Sequence, residues 1–541
     1  MAAAGKSGAP SAEPNRLAIT ACVVLATVMQ ALDTTIANVS LPYIQGSVAA
    51  NQDEIEWVLT SYIVAAAIMT QPTGFLAERL GVKRLFLTSI VGFTIASVLC
   101  GMAHSLVEIV LFRLIQGAFG AGLVPLSQAV LLNIYPKERQ GQAMAYWGMA
   151  IMIGPIIGPV LGGWLTYNYS WRWVFYINVP IGILAFLGMT AFLPETSKHP
   201  GKLDWFGFAT LSVAIGALQI LLDRGEELDW FGSGEILIEA VVSGSALWLF
   251  LVQTFTAKGP FVNPALFRDR NFTAGTLFGF IIGLTYFAPL ALLPLYLQDL
   301  MGYPILTAGF ALAPRGFGTL VAMTIVGRLV GRLDTRVLLA TGLGLSAWAM
   351  WDLTSWTPDV SEWTVGLNGI IQGAGMGFLF VPLSVTALGT LAPEQRTAGA
   401  GFFTLARNIG QSMGASVTSA LLVSNTQENH AEIGGYVTAV NRLFGNPAIT
   451  HLWSPFTAAG RAALDATITL QAQIIAYIDD FKLLMILTLL ALPLGPLLQE
   501  AARRRPRGSR LGRIMTTPGG IGCGPKRLYA TRPCSPARDG W

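Results

Sequence analysis

Asp33 and Arg113 are charged residues placed where hydrocarbon would surround them. Asp33 lies well inside the first apolar span, in Ala31-Leu-Asp-Thr-Thr-Ile-Ala-Asn-Val-Ser-Leu-Pro42, and Arg113 lies inside the fourth, in Leu111-Phe-Arg-Leu-Ile-Gln-Gly-Ala-Phe-Gly120. An acid inside a membrane is costly to insert and faces a cavity or a partner. Protonation removes its charge, so Asp33 can take up and release a proton. As a carboxylate it can instead hold a cation, or serve as a hydrogen-bonded structural group. An arginine does not give up its proton. Arg113 can therefore tune a neighbouring carboxylate, stabilise a water chain or tie two helices together, but it cannot carry the proton. Arg315, Arg407, Gln116, Gln372 and Gln411 also lie within spans and are candidate cavity liners.

A third feature is Gly154-Pro155-Ile-Ile-Gly158-Pro159-Val-Leu-Gly162-Gly163, inside an uncharged run from Gln140 to Ser170. One proline stops a soluble helix, yet in lipid such a segment survives because neighbouring helices and waters satisfy the freed backbone groups. Glycines at small-xxx-small spacing let two backbones approach closely. The stretch predicts a bent, tightly packed transmembrane helix. The glycines alone mark packing; the doubled Gly-Pro with its closing Gly-Gly is more specific.

The elements that must position these residues are membrane helices. The chain has 541 residues, 53% hydrophobic and only 12% charged, against about 25% charged in soluble proteins. Apolar runs of ~20 residues, enough to cross ~30 Å of hydrocarbon, recur throughout. Fourteen spans are expected, at 17–41, 57–77, 85–103, 106–134, 141–167, 173–193, 204–222, 236–256, 272–297, 306–332, 337–356, 363–390, 398–423 and 481–499. No cleavable signal peptide is evident, and a soluble enzyme is excluded by hydropathy. The net charge of +4 indicates no nucleic-acid role. No metal-ligand cluster, catalytic nucleophile elbow or GxxxxGK[ST] phosphate loop occurs, so no metal, no cofactor and no ATP-driven step is expected.

Charge placement sets orientation. One set of loops holds fourteen lysines and arginines, among them Arg79, Lys83, Lys137, Arg332 and Arg396; the opposite set holds four, Arg172, Arg224, Arg442 and Arg461. The positive-inside rule puts the first set, and both termini, in the cytoplasm. The pattern also repeats. Gly74 to Lys83 matches Gly327 to Arg336 at an offset of 253 residues, Ile115-Gln-Gly-Ala118 matches Ile371-Gln-Gly-Ala374 at 256, and Pro125-Leu-Ser127 with Pro136 and Arg139 matches Pro382-Leu-Ser384 with Pro393 and Arg396 at 257. Two related six-helix halves are implied, with residues 204–256 inserted as an extra helical pair. The organisation expected is a tail over 1–16, a first bundle over 17–195, an inserted helix pair and linker over 196–265, and a second bundle over 266–500. A polar outer excursion over 424–480 belongs to the second bundle, and within it residues 462–478 have helical spacing. Residues 501–541, rich in Gly, Pro and Arg, are expected to be a disordered cytoplasmic tail.

The Gly-Pro stretch resembles the antiporter motif in the fifth helix of drug:proton antiporters of the major facilitator superfamily. The segment around Asp33 resembles the first-helix motif of the fourteen-helix, EmrB/QacA-like branch, with Ala37 and Ser40 as small departures. The segment around Arg113 resembles that family's fourth-helix motif, implicated in proton coupling. Gly74, Glu78, Arg79, Gly81 and Lys83 resemble the superfamily's cytoplasmic loop motif, in which charges bridge to the other half and hold the inner gate shut. Glu78 replaces the usual aspartate and keeps its charge; Val82 replaces a frequent basic residue. The resemblance implies an all-α polytopic fold of two six-helix bundles plus two inserted helices. It also implies multidrug export of amphipathic, often cationic compounds across the inner (plasma) membrane by alternating access, driven by the proton gradient. Gram-negative members of the branch work with a periplasmic adaptor (EmrA-like) and an outer-membrane channel, and 424–480 is a candidate docking surface for one. Export of one endogenous metabolite, such as a siderophore or an amino acid, and a non-transporting scaffold or sensor are the alternatives.

Overall fold

The computed structural model describes residues 15–195, 203–438, 444 and 453–498, and these form one compact unit. The two tails, the 196–202 linker with Lys198, His199 and Lys202, and Arg442 and His451 lie outside the described residues. The helices are α1 (Arg16–Val48), α2 (Trp57–Thr70), α3 (Thr73–Leu80), α4 (Val82–Met102), α5 (Leu106–Gly120), α6 (Leu123–Ile134), α7 (Gln140–Asn168), α8 (Asn178–Phe192) and α9 (Trp205–Arg224). They continue as α10 (Gly234–Thr256), α11 (Arg270–Leu295), α12 (Ile305–Leu312), α13 (Pro314–Leu329), α14 (Thr335–Leu353), α15 (Glu362–Gly389), α16 (Arg396–Tyr436) and α17 (Ala458–Leu490). Among the described residues there is no strand, only an isolated bridge between Val330 and Leu333.

The packing repeats as the sequence does. Among the N-terminal helices α1 packs on α7, α2 on α5 and α4 on α5; among the C-terminal helices α11 packs on α16, α13 on α15 and α14 on α15. The two sets meet where α7 lies along α13 and where α16 crosses α3 and α6. The inserted pair α9 and α10 flanks this junction. Gln219 of α9 bonds Ser412 of α16 at 2.9 Å, while Asp223 accepts a hydrogen bond from Thr60 of α2.

Ten helices among the described residues are long and apolar enough to cross a membrane, or eleven if α2 and α3, bent by 56°, count as one. The three that separate this number from fourteen are α14, α16 and α17. Charges lower the hydropathy of α14, with Arg336 and Asp352 near its ends, and of α17, with the run Asp479, Asp480 and Lys482 inside it; in α16 the glycines, serines, Asn408 and Gln411 do so together with Arg407. The expected ends change here. Helix α16 does not stop at 423, because neither proline nor glycine breaks it before Gly434. The expected last span at 481–499 is instead the second half of α17, which starts at Ala458 and ends before Pro493 and Pro496. The polar excursion is therefore largely helical: α16 runs into it and α17 out of it, tied by His430 and Asp465 at 3.0 Å. At 1.5 Å per residue α16 is about 60 Å long and α17 about 50 Å, so both overrun a ~30 Å hydrocarbon layer.

Candidate functional site

Asp33 sits about 26 Å along α1 from its start, and α5 and α8 meet it there directly. Its carboxylate accepts three hydrogen bonds. Arg113 of α5 donates from Nη1 to Oδ2 at 2.6 Å, Gln116 of α5 donates from Nε2 to Oδ1 at 2.8 Å, and Asn178 of α8 donates from Nδ2 to Oδ1 at 2.8 Å. Asn178 also reaches Ser97 of α4 at 3.0 Å, and the Ser97 hydroxyl donates to the Phe175 carbonyl at 2.9 Å. Neither Asp33 nor Arg113 is more than 1% exposed, and Gln116 and Asn178 are fully buried. Arg113 has partners besides the acid. Its Nε donates to the Val58 carbonyl of α2 at 3.2 Å, its Nη1 also reaches Gln116 Oε1 at 2.9 Å, and its Cζ lies 4.2 Å from the centre of the Tyr62 ring. The guanidinium therefore keeps hydrogen bonds and a cation–π contact when the acid is neutralised.

The Gly-Pro stretch lies against this same part of α1. Helix α7 carries Pro155 and Pro159 without breaking, and Thr35 donates from Oγ1 to the Gly154 carbonyl at 3.0 Å. A Cβ on Gly154 would overlap the Ala31 carbonyl, one on Gly158 would overlap the Thr35 hydroxyl, and one on Gly162 would meet Ile36 Cγ1 at 2.9 Å. These three glycines form a seam that brackets Asp33. Gly163 is not part of it, since its nearest neighbour, Val39, is 3.9 Å away. On its other side α7 meets the C-terminal helices: Ile156 packs where Gly316 of α13 has no side chain, and Trp147 stacks on Phe380 of α15 at 5.4 Å. Trp147 is fully buried.

At the basic-loop end the residues of the loop motif and of α16 come together. Gly74 abuts Ala398 of α16, where a Cβ would lie 2.6 Å from the Ala398 Cα, and Gly81 takes φ +89° to turn α3 into α4. Lys83 donates to the Thr190 carbonyl of α8 at 2.8 Å, within its own half. Glu78 and Arg79 are exposed. Arg396 spans the halves: from the start of α16 it donates to the Leu132 carbonyl at 2.9 Å and to Asn133 Oδ1 at 2.8 Å. The repeat was the signal for it, because Arg396 is the counterpart of Arg139.

The candidate cavity residues scatter. Gln116 belongs to the Asp33 network and presents no surface to a cavity. Gln372, its repeat counterpart, is equally buried, with a weak contact to Met350 Sδ at 3.9 Å. Arg315 is held by Tyr286 of α11, through the hydroxyl at 3.2 Å and the carbonyl at 3.1 Å. Arg407 is 8% exposed and sits 5.5 Å from the Phe380 ring centre; among the described residues it forms no ion pair. Gln411 is exposed. A groove lies elsewhere, between α2, α9 and α10, lined by Val64, Ile68, Gly216 and Glu239. It uses a different face of α2 from Val58 and Tyr62, which turn to Arg113. The described residues contain no cluster of acids, histidines and cysteines able to hold a metal ion.

Comparison with known proteins fits this geometry. The family described as the Major Facilitator Superfamily matches residues 23–415. The chain is 39% identical over 426 residues to "Multidrug export protein EmrB" of Escherichia coli (strain K12), covering 78% of this chain and 83% of that protein. It is 35% identical over 480 residues to "Fatty acid resistance protein FarB" of Neisseria gonorrhoeae, covering 88% and 94%. Among solved structures, the human organic anion transporter MFSD10 (TETRAN) superposes with a TM-score of 0.55 at 16% identity, covering 88% of this chain and all of that one, a likeness of fold alone. The chain belongs to the Major Facilitator Superfamily, in the branch that holds the EmrB multidrug export proteins, and is a transporter rather than an enzyme.

Proposed function

We propose that this protein exports amphipathic compounds, cationic ones among them, in exchange for protons, by alternating access. The basic-loop end then faces the cytoplasm, the membrane is the inner (plasma) membrane, and no cofactor takes part. The observation that carries the reading is the Asp33–Arg113 pair, sealed in the N-terminal helices and bracketed by the glycine seam. While Asp33 is ionised, a charge-assisted bond ties α1 to α5. A proton on Asp33 removes that bond, and Arg113 falls back on Val58, Gln116 and the Tyr62 face. Helix α1 is then free to shift along the side-chain-free seam of α7, which itself abuts α13 of the other half. One proton moving through about 100 mV supplies roughly 2.3 kcal/mol, which sustains about 50-fold accumulation.

The test is purified protein in sealed liposomes with an imposed pH gradient. Substrate accumulation that collapses with a protonophore supports the reading, and accumulation that persists without any ion gradient ends it. Asp33→Asn should abolish gradient-driven export on every compound of a panel; a variant equal to wild type throughout removes Asp33 from the mechanism.

A second reading of the substrate has its own support. Arg407 is a buried cation with no ion pair among the described residues, and the FarB relative is named for fatty acid resistance. An amphipathic anion, an endogenous metabolite included, suits such a site. The same panel, extended to long-chain carboxylates, separates the two. The helical pair formed by the ends of α16 and α17 is the surface we assign to a periplasmic adaptor that hands cargo to an outer-membrane channel. Shortening it with no change in efflux or in adaptor pull-down would reject that assignment.

A further inference from the structure

The exchange described above uses one buried acid, and the C-terminal helices contain another. Asp480 of α17 is 1% exposed, and neither of its carboxyl oxygens has a hydrogen-bond partner. It lies on the buried face of α17 with Tyr477, Phe481 and Leu484. That face packs on the end of α11, where the helix widens into a π turn over Tyr296–Leu300. Turns of this kind cluster at functional sites. Tyr296 is 2% exposed, and its hydroxyl is also without a partner. Its ring stands edge-on to Tyr477 at 5.2 Å and lies 6.4 Å from Phe481. Tyr296 thus belongs to an apolar cluster with Leu292, Leu353, Trp356 and Ile474, to which α17 contributes Tyr477, Phe481 and Leu484, the residues that flank Asp480 on its buried face.

The surrounding charges offer Asp480 no counter-ion. On its own helix Asp479 pairs with Lys482 at 3.1 Å, both half exposed. The π turn brings Asp299, which is exposed. From α14 comes Asp352, held by Asn368 at 2.9 Å and by the Trp356 indole at 3.2 Å. Helix α16 contributes Leu422 to the cluster; Arg407 lies about four turns before it and Glu428 about two turns after. Among the described residues Asp480 forms no ion pair. An ionised carboxylate buried without a donor costs far more than the neutral acid. The site as built therefore accommodates Asp480 with a proton on it, while Asp33 is built for the opposite charge state.

We propose that Asp480 is a second proton-binding site of this transporter, loaded from the end opposite the basic loops. The cluster sits at that end: Trp356 and the turn after α14 close it, and α11 has run its full length from Arg270 before reaching Tyr296. The proton enters onto a carboxylate oxygen when the site opens to water there, and it leaves when the opposite conformation hydrates or pairs the acid. This inference rests on the reading of the protein as a proton-driven exporter.

The experiment compares wild type, Asp480→Asn and Asp480→Glu in liposomes under imposed gradients of pH and potential. Wild type first tests the exporter reading by itself: if a protonophore leaves its accumulation unchanged, that reading and this inference fall together. With wild type coupled, Asp480→Asn should keep substrate–substrate exchange at zero gradient but lose one proton's worth of accumulation, about 50-fold at about 100 mV. Asp480→Glu should restore it with a shifted pH profile. Asp480→Asn matching wild type in accumulation and pH profile overturns the inference and leaves Asp33 coupling intact. An independent measurement needs no variant: a hydrophobic carbodiimide, which reacts with protonated acids, should label Asp480 in the wild-type protein, less so as pH rises, as read by mass spectrometry. Absence of label at every pH also overturns it.

Discussion

Two buried carboxylates in one transporter sit in opposite surroundings. Asp33 accepts three hydrogen bonds from α5 and α8, one of them from a guanidinium. Asp480 is as deeply buried and accepts none. The repeat places the contrast in context. At the 253-residue offset Tyr62 falls on Arg315 and Asp33 on Tyr286. In the first half an arginine lies over the tyrosine of α2 and binds an acid on α1. In the second an arginine of α13 lies over the tyrosine of α11 with no acid opposite. The halves share a backbone plan, but the buried acid of the second half lies on its last helix and forms no ion pair among the described residues. A charge that has a built-in counter-ion holds helices together until a proton arrives; an acid without one holds the proton instead.

The largest effect should come from splitting the first pair. Arg113→Leu leaves an ionised acid buried with amide donors alone, and about 3–5 kcal/mol of stability should be lost. Denaturant unfolding in detergent measures it, and adding Asp33→Asn should return much of the loss. Asp480→Asn, which replaces a neutral acid by a neutral amide of the same shape, should stay within about 1 kcal/mol. If the two acids prove equally sensitive, the comparison is broken. Next in size is the glycine seam. Gly154→Ala and Gly158→Ala each drive a methyl into α1 beside Asp33 and should lose about 1–3 kcal/mol by overpacking, whereas Gly163→Ala meets only ordinary contact and should be silent in the same unfolding assay. Equal effects at all three would mean that the seam does not lean on α1.

A similar effect, read by access rather than stability, is expected at the basic-loop end. Arg396→Gln removes charge-assisted bonds to Leu132 and Asn133, with about 1.5–3 kcal/mol at stake per bond. A thiol placed at Ala398, opposite Gly74, should then react with an impermeant reagent roughly tenfold faster from that side. Unchanged labelling would show that Arg396 is no latch.

How much of this was legible in the sequence depends on whether a residue's partner is local. Asp33, Arg113 and the Gly-Pro run announce themselves because a charge or a proline in hydrocarbon is anomalous wherever it points. The repeat likewise exposes the two-part plan without any structure. Asn178 gives no such signal: an amide near the start of a helix has many uses, and only the fold brings it to Asp33 and Ser97. Asp480 was hidden by its neighbours. Asp479 and Lys482 lower the local hydropathy enough to shift the expected span to 481–499 and push the acid into a polar excursion. The helical spacing over 462–478 held the correction, since it continues in register through Phe481 and Leu484. Gln116 and Gln372 show the converse, because polarity within a span says nothing about whether the side chain faces a cavity or another side chain.

The smallest effect expected is also the cleanest control on the contrast between the acids, because it uses the same residue type on the same helix. Asp465 stands on α17 one long stretch before Asp480, paired with His430 at 3.0 Å and 71% exposed. Water screens that pair, and exposed pairs contribute at most about 1 kcal/mol. Asp465→Asn should therefore leave both unfolding and the pH profile of transport where wild type has them, within about 0.5 kcal/mol for the former. The two substitutions remove the same carboxylate oxygen from one helix and differ only in what surrounds it. Were Asp465→Asn to shift the pH profile as Asp480→Asn is expected to, acidity on α17 in general would be at work, and burial would have no part in setting the proton's address.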